Sequence, residues 1–339
     1  MMYYLIKLSP PSGIQAQPIK WTSHPNGLMQ PPDPNALNVE FDLFETLGYV
    51  SAGDSTLSIQ GVPLSLLMQG TYFGIGNNHS PGWNIEIHIG MGKGLPLANP
   101  KQAGMVIKGM VKYSWANWEG TEMDLDFVVY GGGSSNPAKA APIVHNQPPS
   151  TPLHQAIKNA LQVAYPGMPL TINVSENLIW NYPLVGYYPN LDSYARAMKD
   201  LTQGFGGNSN YSGFDIGFSR GGATIFDGST PPQPVKLDYT DFVGQPTWIS
   251  PGGAHSGPGL QAKLVARADL QMGGIVNFPP GMVAAPGMSQ MTAQGYPYGN
   301  KLTFSGNFLI TGLRHMGNFR MRDGAQWVTI INCVGIGGQ

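Results

Sequence analysis

The 339-residue chain has a single cysteine, Cys333. One cysteine excludes an intrachain disulfide and any Cys-based zinc site. Its place in the β-rich run TIINCV suggests a small buried hydrophobe. Charged residues make up only 11% of the chain, against about 25% in ordinary soluble domains, and the net charge is −1. The near-neutral balance argues against a dedicated nucleic-acid binder, which would carry a basic excess. A free monomer usually keeps more charge for solubility. Either partners cover much of the surface, or it is polar through Asn, Gln, Ser and Thr. Apolar runs are short as well. None approaches the roughly 18 residues needed to span a bilayer, so no membrane span is expected. MMYYLIKLSPP lacks the basic segment and long apolar core of a signal peptide, so no secretion is expected, and the sequons at Asn78, Asn173 and Asn210 carry no weight.

Glycine and proline are abundant. Gly 46 and Pro 30 exceed a fifth of the chain. No three-residue period accompanies them, so collagen is excluded. Many turns and short strands follow. The length fits two or three domains, or one large one. Alternation marks the strands of the first third. Val39, Phe41 and Leu43 oppose Glu40 and Asp42; Ile85, Ile87 and Ile89 oppose Glu86 and His88. Met123, Leu125 and Phe127 oppose Glu122, Asp124 and Asp126, after a turn at Glu119-Gly120. Residues 131–150 are small, Pro-rich and aperiodic, as a linker is.

A different pattern begins at residue 151. Ser150 or Thr151 can cap a helix with Pro152 in its first turn. Leu153, Ile157, Ala160, Leu161 and Ala164 share one face, and Gly167 ends it. MPLTINVS reads as a strand. NLDSYARAMKDLTQ reads as a second helix burying Leu191, Tyr194, Ala195, Met198 and Leu201. The last third returns to strands, including VKLDYTDFV, LQAKLVARADLQMGGIVNF and a closing hairpin with a tight turn at Asp323-Gly324. In that hairpin Phe319 and Met321 alternate with Asn318, Arg320 and Arg322. Its layout of strand, Gly bend, charged turn and strand matches residues 104–130. The reading is mainly β with an α/β insert: a β-domain over 1–130, a linker over 131–150, a helix–strand–helix module over 151–212, and a second β-domain over 213–339.

Motifs with chemistry are weak. Gly217-Phe218-Ser219-Arg220-Gly221 fits G-x-S-x-G, but that motif needs a following helix, and the strand ATIFDG follows. Glu122, Asp124 and Asp126 share one strand face without the differing environments that an acid–base pair needs. Glu86 and His88 permit two metal ligands, not a site. GIGNN and GMGKG lack the setting of phosphate loops. Trp115, Trp118 and Tyr113 gather near a turn as a core edge or an interface anchor. No catalytic, cofactor or metal residue is assigned. Trp180, Tyr182, Tyr187 and Tyr188 lie between the inserted strand and the second helix. Such rings favour interfaces, or else complete the module's core.

Three stretches carry a family resemblance: TPLHQAIKNALQVAYPGMPLTINVSENL, YYPNLDSYARAMKDLTQ, and the last third with its Val243-Gly244-Gln245-Pro246 turn and Gly312, His315 and Gly317 in a G-x-x-H-x-G bend. Together the chain resembles baseplate hub proteins of contractile-tailed bacteriophages over roughly residues 37–334. Pro-rich loops such as FPPGMVAAPGMSQMTAQGYPYG depart from that pattern. The resemblance implies two tube-protein-like β-barrels per chain and no enzymatic role. It implies a homotrimeric ring joining a sixfold tail tube to a threefold tail spike, in the virion baseplate after assembly in the host cytoplasm. Implied partners are the spike, the tube, baseplate wedge proteins and the tape-measure protein, with DNA only in transit. Glu86, Glu122, Asp124 and Asp126 would then border the channel, where negative charge keeps DNA from sticking, or lie on an ordinary outer face. His315 would be a structural bend residue. The competing classes are a tail-associated glycan-degrading enzyme, which needs a carboxylate pair in a cleft, and a ligand-binding β-sandwich.

Overall fold

The computed structural model describes residues 2–48, 54–75, 82–93, 99–131, 141–203, 211, 213–229, 232–249, 259–283, 303–321 and 323–336. The linker residues 132–140, the loop residues 284–298, Asn78, Asn210 and Arg322 lie outside the described residues. The first third forms β1 (Met2–Ser9), β2 (Ile19–Thr22), β3 (Asn38–Glu45), β4 (Ser55–Gln60), a one-turn helix α1 (Leu64–Leu67), β5 (Asn84–Met91), β6 (Gly104–Glu119) and β7 (Glu122–Tyr130). The middle forms β8 (Ile143–Gln147), α2 (Leu153–Ala164), β9 (Leu170–Asn173), β10 (Leu184–Tyr188), α3 (Leu191–Thr202), β11 (Asp215–Ser219) and β12 (Gly222–Phe226). The last third forms β13 (Val235–Lys236), β14 (Thr247–Ile249), β15 (Gly259–Val265), β16 (Ile275–Val283), β17 (Thr303–Asn318) and β18 (Trp327–Gly335).

The fold is mainly β with an α/β insert. The two β-rich thirds share one sheet, in the order β14-β15-β18-β17-β3-β4-β7-β6-β5-β1-β2, with β16 also on β17 and β13 on β16. Each third has its own apolar core. Ile85, Ile87 and Ile89, all without exposed surface, line the first with Leu125 and Phe127. Each such side chain contributes roughly 1.5–3 kcal/mol relative to exposure. Phe278, Phe308, Ile331 and Cys333 belong to the second. The first part of the sheet curls: the Tyr4 hydroxyl on β1 donates to the Leu37 carbonyl ahead of β3, at 2.7 Å. Trp327 of β18 plugs the first core and donates from its indole nitrogen to the Gly90 carbonyl, at 3.1 Å.

Several local expectations change. VKLDYTDFV is a strand only at Val235-Lys236, because the Asp241 carboxylate accepts from the Asp238 amide at 2.9 Å and closes a 3-10 turn over Tyr239–Asp241. Asp323 likewise caps a 3-10 turn over Gly324–Gln326, so the closing strands are not joined by a tight two-residue turn. Helix α2 starts at Pro152 without a side-chain cap, whereas Asn190 caps α3 by accepting from the Ser193 amide at 2.8 Å. Leu201 is exposed; Lys199 and Thr202 occupy the buried face instead. The linker and module boundaries also shift. Ile143–Gln147, inside the expected linker, forms β8 paired with β10, and β11 and β12, inside the expected second β-domain, share the module's core. Neither segment is long enough to show its partner in sequence.

His315 does not sit at a bend. It lies inside β17, opposite Leu43 of β3 and Thr329 of β18, with no exposed surface. His315 Nδ1 lies 3.0 Å from the Thr329 hydroxyl, and its Nε2 lies 3.9 Å from the buried Glu45 carboxylate. Burial, helped by the positive Arg220, lowers the His315 pKa to about 3. Gly317 fits a gap: a Cβ there would meet the Phe41 ring and a Trp327 ring carbon at 2.7 Å.

Two predictions arise from the seam between β3 and β17. Gly317→Ala should destabilise by about 1–3 kcal/mol through overpacking, read as a lower denaturation midpoint; an unchanged midpoint would show that the rings yield freely. His315 must stay neutral when folded but protonates near pH 6.5 when unfolded, so its contribution is complete above about pH 6.5 and is lost as pH falls toward 3. The slope approaches about 1.4 kcal/mol per pH unit. His24 and His145, also lowered by burial, act in the same direction. Denaturant titrations between pH 7 and 5 should show stability falling, and His315→Gln should flatten that slope. An equal slope in the variant would assign the effect elsewhere.

Candidate assembly surfaces

The four carboxylates singled out in the sequence share the non-core face of the sheet. On β7, Leu125, Phe127 and Val129 turn into the core, which sends Glu122, Asp124 and Asp126 to the other side. There β6 places Glu119 opposite Glu122, Asn117 opposite Asp124, and Trp115 opposite Asp126. Glu119 was missed in sequence because the turn hid its pairing. From Trp115 onward every residue of β6 is exposed, Trp115 and Trp118 among them, while β7 opposite stays paired with β4 as far as Asp124. The Trp118 indole donates to the Gly120 carbonyl at 2.9 Å, which fixes the ring at the tip.

Glu86 stands apart from this group, on β5. Lys108 Nζ lies 3.1 Å and Lys7 Nζ 3.4 Å from its carboxylate. Burial opposes ionisation there, but the two lysines outweigh it and hold the carboxyl below its ordinary range. Glu86 is therefore a neutralised member of the face. Its neighbour His88 is lowered by burial and by Lys7. In contrast, Asp124 is raised, first by burial and then by Asp126, Glu122 and Glu119. Among the described residues, no three His, Cys, Asp or Glu side chains are placed to hold a metal ion.

The aromatic group divides between two faces of the module. β8 and β10 pair so that Tyr187 opposes Val144 and Val185 opposes Asn146. Tyr187, Val185 and Val144 are exposed at 68%, 71% and 58%, and Tyr182 at 73%. Tyr188 points the other way and meets the buried Tyr194 edge-on, with ring centroids 5.2 Å apart. Trp180 is half-buried. Below this sheet His145 sits between the Tyr194 hydroxyl at 3.0 Å and Gln147 at 3.3 Å. The valines of the exposed patch were missed because a five-residue strand inside a Pro-rich stretch shows no alternation partner.

The G-x-S-x-G stretch is a β-hairpin. Ser219 pairs with Gly222, and Arg220 and Gly221 form the turn with φ of 51° and 76°. Positive φ at both central positions is the tight hairpin geometry that matches strand twist. The Arg220 guanidinium donates to the carbonyls of Ala268 and Leu270. β11 meanwhile docks on the end of β3 through the Phe218 amide to the Thr46 carbonyl (3.3 Å) and the Gly48 amide to the Ile216 carbonyl (2.8 Å). The motif is a clasp between the module and both β lobes.

In overall trace the chain is similar to three solved structures that it matches along nearly its whole length. The 43 kDa tail protein of prophage MuSo2 from Shewanella oneidensis matches with TM-score 0.49 and 10% identity, over 98% of this chain and 97% of that one. A tail protein from Neisseria meningitidis MC58 gives 0.48 and 10%, over 98% and 96%. An E. coli type VI secretion component, described as similar to T4 bacteriophage tail proteins gp27 and gp5, gives 0.47 and 9%, over 98% and 77%. Neither a protein-family model nor a curated protein matches the sequence.

Because Asp124 resists ionisation in the folded chain, its contribution is favourable at low pH and is lost as pH rises through its raised pKa. Asp124→Asn should therefore raise the melting temperature at neutral pH, and salt should shrink the gain by screening the neighbouring acids. A lower melting temperature would mean that the carboxylate makes a stabilising bond.

Proposed function

We propose that the chain is a structural virion protein of a bacteriophage tail: a baseplate hub that assembles as a trimeric ring between a sixfold tube and a threefold spike. The observation that carries this reading is the pair of β lobes, each with its own core, joined edge to edge in one sheet. Three copies would present six such lobes, the number needed to match sixfold to threefold symmetry. The sequence resemblance to hub proteins supports the same reading. So does the low charge content, since surface covered in an assembly needs little charge. Strands β14 and β2 end the sheet at opposite sides. Edge strands invite pairing with another chain, and a head-to-tail contact of this kind gives a ring when the rotation between copies closes.

In this reading the sheet face with Glu119, Glu122, Asp124 and Asp126 borders the channel and repels DNA phosphates. Lys7 and Lys108 offset Glu86, which leaves the β7 acids as the negative lining. The face of Tyr182, Val185, Tyr187 and Val144 meets spike, tube, wedge or tape-measure components. No catalytic residue or cofactor is assigned.

Native mass spectrometry of the purified chain, alone and with tube and spike proteins, tests the ring. Three copies per particle are expected; a monomer under every condition would overturn it. The aromatic face is tested by separating its two sides. Tyr187→Ala should leave the folded chain intact and weaken assembly, whereas Tyr188→Ala should cost about 2 kcal/mol of stability by opening the core beside Tyr194. Normal assembly of the Tyr187 variant would remove this face from the interface.

A further inference from the structure

Strand β9 is the edge of the module's three-stranded sheet, in the order β11-β12-β9. The Pro169 and Asn173 carbonyls face β12, where they accept from the Ala223 and Asp227 amides at 3.0 and 3.4 Å. Backbone groups alternate sides along a strand, so the N–H and C=O groups of Leu170 and Ile172 face the open edge. Among the described residues no strand pairs there. Beside that edge runs a groove of about 500 Å³ between β9 and α2. Leu170 and Ile172 form its apolar side, His154, Lys158 and Gln162 its helical side, and Glu176 lies at its end. The helical residues stand four apart and so form one row along α2. Lys158 is exposed, and among the described residues His154 Nδ1 is buried without a hydrogen-bond partner.

An edge strand and a flanking groove are the two halves of a strand-addition site. The backbone edge supplies main-chain hydrogen bonds, and the groove receives alternate side chains. We propose that β9 captures an extended segment of a partner protein. Alternate side chains of that segment are apolar and fill the groove, and one of them is a carboxylate that meets Lys158 and His154. A second copy of this chain is a poorer occupant. Antiparallel pairing of β9 with itself would set the two α2 rows side by side on one sheet face, Lys158 toward Lys158. The site is separate from the β8–β10 face and from the sheet edges at β14 and β2, so it does not depend on the hub reading.

The test uses the full chain and a synthetic eight-residue peptide, blocked at both ends, in which Thr alternates with Val and one central Val is replaced by Glu. Binding should slow hydrogen exchange at the Leu170 and Ile172 amides by about tenfold or more, because strand pairing protects edge amides. Lys158→Glu should weaken binding several-fold, and a peptide with Lys in place of Glu should recover it on that variant. Unchanged exchange at both amides would overturn the proposal. So would equal binding of a peptide of the same composition with the alternation scrambled. A dimer by native mass that protects the same amides and excludes the peptide would make the occupant a second copy and overturn the partner claim.

Discussion

The structure depends on the pairing of β3 with β17. Six residue pairs, from Leu313 opposite Glu45 to Asn318 opposite Glu40, join segments some 270 positions apart. Without them the two lobes would be two sheets with exposed edges. Arg314 fixes the register by a two-pronged bond to Asp42, 2.7 and 2.6 Å, while its guanidinium lies over the Phe44 ring. A one-residue slip would reverse every side chain and bring Arg314 into the place of His315. The seam also couples the cores. Trp327, Val265, Ala266 and Ala268 from the last third belong to the first core, and Leu47 from the first third belongs to the second. Neither lobe completes its interior until the whole chain is present.

Few charges are present, and five of the described ones, Glu45, Lys199, Asp215, Asp241 and Arg267, are buried. Arg267, 2% exposed, donates twice to Asp269 and forms an ion pair with Asp241 at 3.1 Å. Lys199 pairs with Asp215 at 2.9 Å between α3 and β11, both nearly buried. Removing one partner of such a pair typically costs several kcal/mol, because the other charge is left unpaired. These pairs specify docking geometry more than they add stability. Arg267 orders the approach to β18, and Lys199 fixes the helix on the strand that carries the Arg220 clasp. Most of the other described charges lie at least partly exposed, beside exposed aromatics such as Trp118 and Tyr187.

The module meets the lobes at several places: the Arg220 clasp, the hydrogen bonds of β11 to the end of β3, and Phe226, which belongs to the second core. The β11–β12 hairpin anchors it to both lobes, which gives its remaining surfaces a fixed orientation. Those surfaces are the exposed β8–β10 face and the open edge at β9. Surfaces held rigidly in this way would lower the entropic cost of any contact they make.

Alternation by itself found most strands of the first third, because each has one buried face, but it missed the four-residue β2 inside a Pro-rich stretch. It also placed Glu86, Glu122, Asp124 and Asp126 off the core, and the 3.6 period found both helices and most of their buried residues. Low charge and a lone cysteine bounded the class from composition alone. Tertiary structure decided what depends on distant partners. His315 looked like a bend residue because the flanking Gly312 and Gly317 signal turns; in fact Gly312 follows a bulge in β17, and Gly317 makes room for the rings of Phe41 and Trp327. Tyr187 and Tyr188 are adjacent letters with opposite roles, and only the pairing of β10 with β8 tells them apart. Arg220 sits in a motif that local spacing associates with a nucleophile. Its work as a clasp requires carbonyls about fifty residues away, and a short-range pattern holds no record of so distant a contact.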